Sequence, residues 1–128
     1  MTPVDPAAPY DTQNVFARIL RGDLPCDKVY EDDWAFAFND IAPVAQKHVL
    51  VLPKGAYVSW DDFSARASDD EIAGFVRAVG TVARQLDLVE PGYRMICNIG
   101  ADGGQMVPHL HVHLVGGRML GAMVAPAG

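Results

Sequence analysis

Three of the four histidines in the chain, His109, His111 and His113, occupy alternate positions of one short segment. Alternate side chains of an extended strand point to the same side and lie about 6.6 Å apart along it. Three imidazoles at this spacing converge on one site, whereas Leu110 and Val112 between them face the core. Imidazole nitrogens bind metal ions, transfer protons and attack phosphorus, so this segment is the candidate for the chemistry of the protein.

A glycine-rich loop, residues 100–104, and Gln105 precede the histidines. Glycine lets the backbone approach a ligand closely and offer amide hydrogens to an anion. Imidazoles beside such amides predict a phosphate-binding site. The alternatives from the residues alone are a solvated surface strand and a zinc site, because histidines two apart suit Zn²⁺ and His48 can supply a further ligand.

The composition excludes several other classes of protein. Half of the 128 residues are hydrophobic and 20% are charged, which is typical of one globular domain. The formal net charge of -6 disfavours nonspecific binding to nucleic acid or anionic membranes. No apolar run reaches the length of a membrane span, and the first residues have no signal-peptide pattern. Two cysteines without C-x-x-C spacing predict a reducing compartment, and we expect the cytoplasm.

Turn signals and periodicity predict an α+β fold. Asn14 is expected to cap a short helix over 15–21, and the capping box at 68–71 to begin one long amphipathic helix that reaches Leu86. Short connections favour an antiparallel sheet with the helices on one face. The predicted strands are 28–31, 34–39, 48–52, 93–99 and the histidine segment.

The segment from Gly104 to Arg118 resembles the signature of the histidine triad (HIT) family. The resemblance covers about residues 12–118, and the Gly-Gly-Arg ending is similar to the Hint branch of purine nucleoside phosphoramidases. It implies a HIT domain over 12–118 between a flexible N-terminal tail, 1–11, and a C-terminal tail, 119–128. The implied fold is a five-stranded antiparallel sheet with two helices, one short and N-terminal, the other long and central.

The same resemblance implies an activity. The expected enzyme is a hydrolase that cleaves the P–N bond of purine nucleoside 5'-phosphoramidates through a covalent nucleotidyl-histidine intermediate, with no metal and no cofactor. His111 is then the nucleophile, His109 orients it, His113 hydrogen-bonds the phosphate, and His48 supports the cluster and helps to move protons. A homodimer that joins two sheets across the long helix and an edge strand is also implied.

The resemblance further implies a set of nucleotide-binding residues. A carboxylate can accept hydrogen bonds from both ribose hydroxyls, while polar loop residues hold phosphate or ribose and apolar side chains wall the purine. The apolar members are equally compatible with ordinary core positions. The set comprises Asp40 for the ribose, Asn98, Gly104 and Gln105 for phosphate or ribose, and Phe16, Ile19, Leu24, Phe38, Ile41 and Leu50 for the purine.

Two features depart from the family pattern. Met106 stands where many members of the Hint branch carry a serine, and its thioether cannot donate the hydrogen bond of a hydroxyl. The sequence after Arg118 has no resemblance that predicts a leaving-group preference. A nucleotide-binding sensor or partner-binding module with little turnover is therefore the alternative to an enzyme.

Overall fold

The structure is a computed structural model that describes residues 3–124. The elements are α1 (Val15–Leu20), β1 (Lys28–Glu31), β2 (Ala35–Asn39), β3 (Lys47–Pro53), α2 (Trp60–Arg66), α3 (Asp69–Gln85), β4 (Arg94–Ile96) and β5 (Val112–Gly116). The five strands form one antiparallel sheet in the order β1-β2-β3-β5-β4, which confirms the predicted α+β fold with its short N-terminal and long central helices. No helix among these residues is long and apolar enough to cross a bilayer.

The predicted helix caps are present. The Asn14 side chain accepts a hydrogen bond from the amide of Ala17 at the start of α1. Ser68 and Glu71 form the reciprocal capping box of α3, which ends one residue before the predicted end. Local side-chain hydrogen bonds therefore define both helix starts, as the sequence pattern predicts.

Helix α2 is not among the predicted elements, although the acidic pair Asp61-Asp62 in its first turn is typical of a solvated helix start. Its seven residues begin after Ser59, and the carboxylate of Asp62 is buried instead of solvated and accepts hydrogen bonds from the amides of Val58 and Ser59. Ser59 and Asp62 together form a capping box with aspartate in place of the usual glutamate. So short a helix carries too few apolar positions to show a helical period.

Alternation along the strands divides the sheet into two unlike faces. Ala37 and Val51 are paired across β2 and β3 on one face, and Phe38 and Leu50 are paired on the other. The first face packs against α2 and α3, and we call it the helical face. The second carries Phe16 of α1, and we call it the histidine face because His113 is paired with Leu50 on it. The expectation that all helices lie on one face is therefore wrong for α1.

The histidine segment is only partly a strand. Strand β5 begins at Val112, so only His113 lies in it, which corrects the predicted strand over all three histidines. The amide of Leu110 donates to the carbonyl of Tyr57 at 2.9 Å instead of to a neighbouring strand. Leu110, Val112 and Leu114 are buried in the core as predicted. Strand β4 is likewise shorter than the predicted 93–99, since residues 97–99 lie outside it.

Two glycines of α3 give a paired test of this packing. A Cβ on Gly74 would lie 2.2 Å from Cγ of Trp34, whereas one on Gly80 would meet only the mobile guanidinium end of Arg84 at 3.3 Å. We expect Gly74→Ala to lower the free energy of unfolding by about 1–2 kcal/mol because the clash outweighs the helix preference of alanine. Gly80→Ala should raise it by up to about 1 kcal/mol. Urea denaturation of both variants measures these changes, and equal effects would contradict the packing.

Candidate active site

The ring of His111 is held in one tautomer by a backbone carbonyl. His111 Nδ1 lies 2.7 Å from the carbonyl oxygen of His109. A carbonyl oxygen only accepts, so Nδ1 carries the hydrogen and the neutral ring presents an unshared electron pair at Nε2. Burial lowers the pKa of His111 below its usual value, which favours this neutral form.

His111 Nε2 faces the open side of the site. Among residues 3–124, every fully buried side-chain nitrogen or oxygen has a hydrogen-bond partner. In the same range no partner of His111 Nε2 is seen, so this atom is not fully buried. The atom is therefore reachable from solvent while the rest of the residue is buried. The edge of the Phe16 ring packs on the imidazole, with the ring centroids 4.9 Å apart.

His113 and His48 form a hydrogen-bonded pair of fixed direction. The amide of Val44 donates to His48 Nδ1 at 3.2 Å, so in the neutral ring the hydrogen is on Nε2. His48 Nε2 lies 2.9 Å from His113 Nδ1 and donates to it. The hydrogen of His113 is consequently on Nε2, and the ring centroids of His113 and His111 are 5.2 Å apart. The site thus places an N–H donor beside the electron pair of His111.

His109 has no free ring atom for a ligand. It is fully buried, and Nε2 lies 2.9 Å from the carbonyl of Pro53 while Nδ1 lies 2.6 Å from the Tyr10 hydroxyl. Burial lowers the pKa of His109 to about 4, so the ring is neutral near pH 7. Burial, reinforced by repulsion from the neighbouring imidazoles of His111 and His48, also lowers the pKa of His113 to about 4. Sequence analysis missed Tyr10, since no spacing pattern links it to a histidine so distant in the chain.

The glycine loop is closed by its own hydrogen bonds. The amides of Gly104 and Gln105 donate to carbonyls inside loop 100–104, each at 3.0 Å. This corrects the expectation that these two amides are offered to an anion. The buried side chain of Gln105 donates to the carbonyls of Val58 and Val107 and accepts from the first amide of the loop. Gln105 therefore holds the loop in shape, and its polar side-chain atoms are occupied within the protein.

The remaining predicted nucleotide-binding residues differ in position and exposure. Asp40 Oδ1 accepts from the amide of Ala42, and Oδ2 lies 3.4 Å from His48 Nε2. Ile41 is 99% exposed, and Asn98 is half-buried. Of the apolar set, Phe16, Phe38 and Leu50 are buried on the histidine face, Ile19 packs against them, and Leu24 is half-buried.

Within residues 3–124, Asp40, His48 and His113 form a group whose possible metal-binding atoms lie within 4.8 Å of one another. To bind a metal through Nε2, His48 must move its hydrogen to Nδ1. That atom faces the amide hydrogen of Val44, so two donors would oppose each other there. The hydrogen bonds of this cluster fit a fixed donor from His48 to His113 and do not fit a metal ligand at His48.

The family of the chain follows from comparison with known proteins. Residues 21–120 match the family model described as the HIT domain. The chain belongs to the HIT family. It is 60% identical over 118 residues to an uncharacterized 13.2 kDa HIT-like protein of Azospirillum brasilense, covering 92% of this chain and 97% of that protein.

A second relative of this HIT protein carries a named activity. The chain is 39% identical over 116 residues to the purine nucleoside phosphoramidase of Escherichia coli, covering 91% of this chain and 97% of that enzyme. Among solved structures, a HIT family hydrolase from Clostridium thermocellum is similar with a TM-score of 0.79 and 36% identity, covering 88% of this chain and 97% of that one.

The buried neutral His109 makes stability depend on pH. Its pKa is about 4 in the folded protein, against about 6.5 for an unperturbed histidine, so between these pH values the unfolded chain binds more protons. The stabilisation is complete above about pH 6.5 and falls by about 3 kcal/mol as the pH drops to about 4. Urea denaturation from pH 7.5 to 4 should show a smaller loss for His109→Gln than for wild type. The carboxylates contribute the same pH dependence in both proteins, so the difference between them reports on His109. Equal losses of unfolding free energy in the two proteins would contradict a neutral buried ring at His109.

Proposed function

We propose that the protein hydrolyses the P–N bond of purine nucleoside 5'-phosphoramidates, with His111 as nucleophile. The observation that carries the proposal is the solvent-facing electron pair of His111 Nε2, fixed by the hydrogen bond of Nδ1 and flanked by the Nε2–H of His113. A fixed neutral imidazole is a competent nucleophile toward phosphorus. The named activity of the Escherichia coli relative supports the same reaction.

In the first step His111 Nε2 attacks the α-phosphorus, the P–N bond breaks, and the amine leaves with a proton. The imidazole becomes positively charged as the new bond forms, and the carbonyl of His109 stabilises that charge through Nδ1–H. His113 Nε2–H is placed to hydrogen-bond a phosphoryl oxygen. The amine takes its proton from solvent, because an extra proton on the His48–His113 pair would place a hydrogen on His48 Nδ1 opposite the Val44 amide. His48 then supports the cluster by fixing the direction of the His113 ring.

In the second step water attacks the phosphorus of the nucleotidyl-histidine and loses a proton to solvent, which balances the proton taken by the amine. The bond from phosphorus to Nε2 breaks, the nucleoside monophosphate leaves, and the electron pair returns to His111. The same two hydrogen bonds serve both steps. His113 Nε2–H stabilises the negative charge that increases on the phosphoryl oxygens, and the carbonyl of His109 stabilises the positive charge on the His111 ring.

The residues around the histidines support a nucleotide-binding role. We propose that the carboxylate of Asp40 accepts hydrogen bonds from the ribose hydroxyls and that Asn98 contacts phosphate or ribose. Phe16, with Phe38 and Leu50 behind it, would form an apolar wall for the purine that the exposed Ile41 can complete. Gly104 and Gln105 shape the loop beside the phosphate. Their backbone amide hydrogens are not donated to the phosphate, because both amides donate within the loop.

We further propose a homodimer and a reducing compartment. Strand β4 is an edge of the sheet, and Met95 on it is 54% exposed beside Trp60 and Val76, which are 42% and 56% exposed. These side chains line an apolar groove of about 180 Å³ between the sheet and α3, and a second copy would cover it. The two cysteines are free thiols, which supports the cytoplasm as location.

Replacement of the nucleophile tests the reaction. His111→Ala should lower kcat for adenosine 5'-phosphoramidate by roughly a thousandfold or more, because no other described imidazole presents a free electron pair at the site. Steady-state release of the amine measures kcat, and isothermal titration with adenosine monophosphate checks that the variant still binds nucleotide. Equal, negligible turnover in both proteins with tight nucleotide binding would instead establish the sensor, in which Met106 replaces the hydroxyl that assists the reaction.

A charge in the apolar groove tests the dimer. Wild-type protein should elute with twice the chain mass of 13.8 kDa in size-exclusion chromatography with light scattering. Met95→Lys should elute as a monomer at low micromolar concentration, because an unpaired ammonium group would be buried in the interface. Val44→Lys, at an exposed position outside the groove, serves as control. A monomeric wild type would contradict the proposed dimer.

A further inference from the structure

We propose that Tyr10 is a positioning residue of the active site, whose hydroxyl holds His109 so that the carbonyl of His109 orients the nucleophile His111. The inference rests on the proposed function of His111. It assigns a task in the active site to the segment before α1, which the sequence analysis expects to be a flexible tail.

The direction of the Tyr10 hydrogen bond follows from the second partner of His109. The carbonyl of Pro53 can only accept, so the hydrogen of the His109 ring is on Nε2. Nδ1 therefore has an electron pair, and the Tyr10 hydroxyl at 2.6 Å donates to it. Burial raises the pKa of Tyr10, so the hydroxyl keeps its proton at neutral pH. The two rings meet edge to face, with centroids 5.6 Å apart.

The effect on His111 passes through one peptide carbonyl. The carbonyl of His109 accepts the Nδ1 hydrogen of His111 at 2.7 Å, so the placement of residue 109 sets the orientation and the tautomer of the nucleophile. Without the Tyr10 hydroxyl, His109 Nδ1 becomes a buried acceptor without a partner. Relief of that cost requires the ring to turn or water to enter, and either movement displaces the carbonyl. His111 can then adopt the tautomer with hydrogen on Nε2, which cannot attack phosphorus.

The segment that carries Tyr10 is anchored on both sides of it. On one side Val4 is only 7% exposed, and a Cβ on Gly100 would lie 3.3 Å from the ring of Pro6, so the segment crosses the start of the glycine loop. On the other side Nδ2 of the Asn14 side chain donates to the carbonyl of Asp11 at 2.8 Å. These contacts fix the phenol in place, as a positioning role requires.

Tyr10→Phe removes only the donor, and Tyr30→Phe is a matched control. Tyr30 also donates a single hydroxyl hydrogen bond, to Asp32 at 2.7 Å, but it lies on β1 at the edge of the sheet far from β5. We expect Tyr10→Phe to lower kcat about tenfold with KM within about twofold of wild type, because orientation changes while nucleotide contacts remain. Tyr30→Phe should leave both constants unchanged, and it should cost less thermal stability than Tyr10→Phe because Asp32 keeps two backbone donors.

Nitrogen-15 NMR of the histidine rings separates positioning from general destabilisation. Wild-type protein should show hydrogen on Nε2 of His109 and on Nδ1 of His111, and Tyr10→Phe should show a tautomer mixture at His111. Unchanged ring signals would overturn the proposal, whether or not kcat falls, and so would an unchanged kcat. If wild-type protein hydrolyses no phosphoramidate, the proposed function fails, whereas the ring signals still decide whether Tyr10 fixes His111.

Discussion

The hydrogen bond from His111 Nδ1 to the carbonyl of His109 is the constraint on which the chemistry of this protein depends. An imidazole with a free choice of tautomer would spend part of its time with hydrogen on Nε2 and would be inert for that part. The backbone carbonyl removes the choice because it can only accept. The buried ring of His109, bonded to the carbonyl of Pro53, keeps that carbonyl in place, and His48 fixes the direction of the His113 ring next to His111.

The division of the sheet into two faces explains why the site lies where it does. The helical face carries alanines and valines that let α3 pack closely, and it forms the main core. Among the described residues, the histidine face carries phenylalanines and leucines, and the short helix α1 and Val107 pack against it. Stability and chemistry are thus assigned to opposite faces of one sheet, and the histidines can be buried on their backbone side while Nε2 of His111 stays open.

Sequence reasoning predicted those parts of the molecule that depend on local pattern. Asn14, Ser68 and Glu71 cap their helices as expected, and the alternation around His113 places its neighbours in the core. It missed what depends on long-range contacts. Nothing local shows that Leu110 bonds to Tyr57 instead of to a strand, or that a tyrosine near the N-terminus supplies the partner of His109. The amides of the glycine loop were misjudged for the same reason, since loop closure consumes them.

The proposed reaction requires a covalent bond between phosphorus and Nε2 of His111. Mass spectrometry of protein that is quenched in acid or in base during turnover of adenosine 5'-phosphoramidate detects this bond. We expect an adenylyl group on His111 that survives alkaline quench and is lost in acid, since P–N bonds to imidazole are acid-labile. Steady hydrolysis with no such adduct under alkaline quench, or with the adduct on His113 or His48, would contradict it.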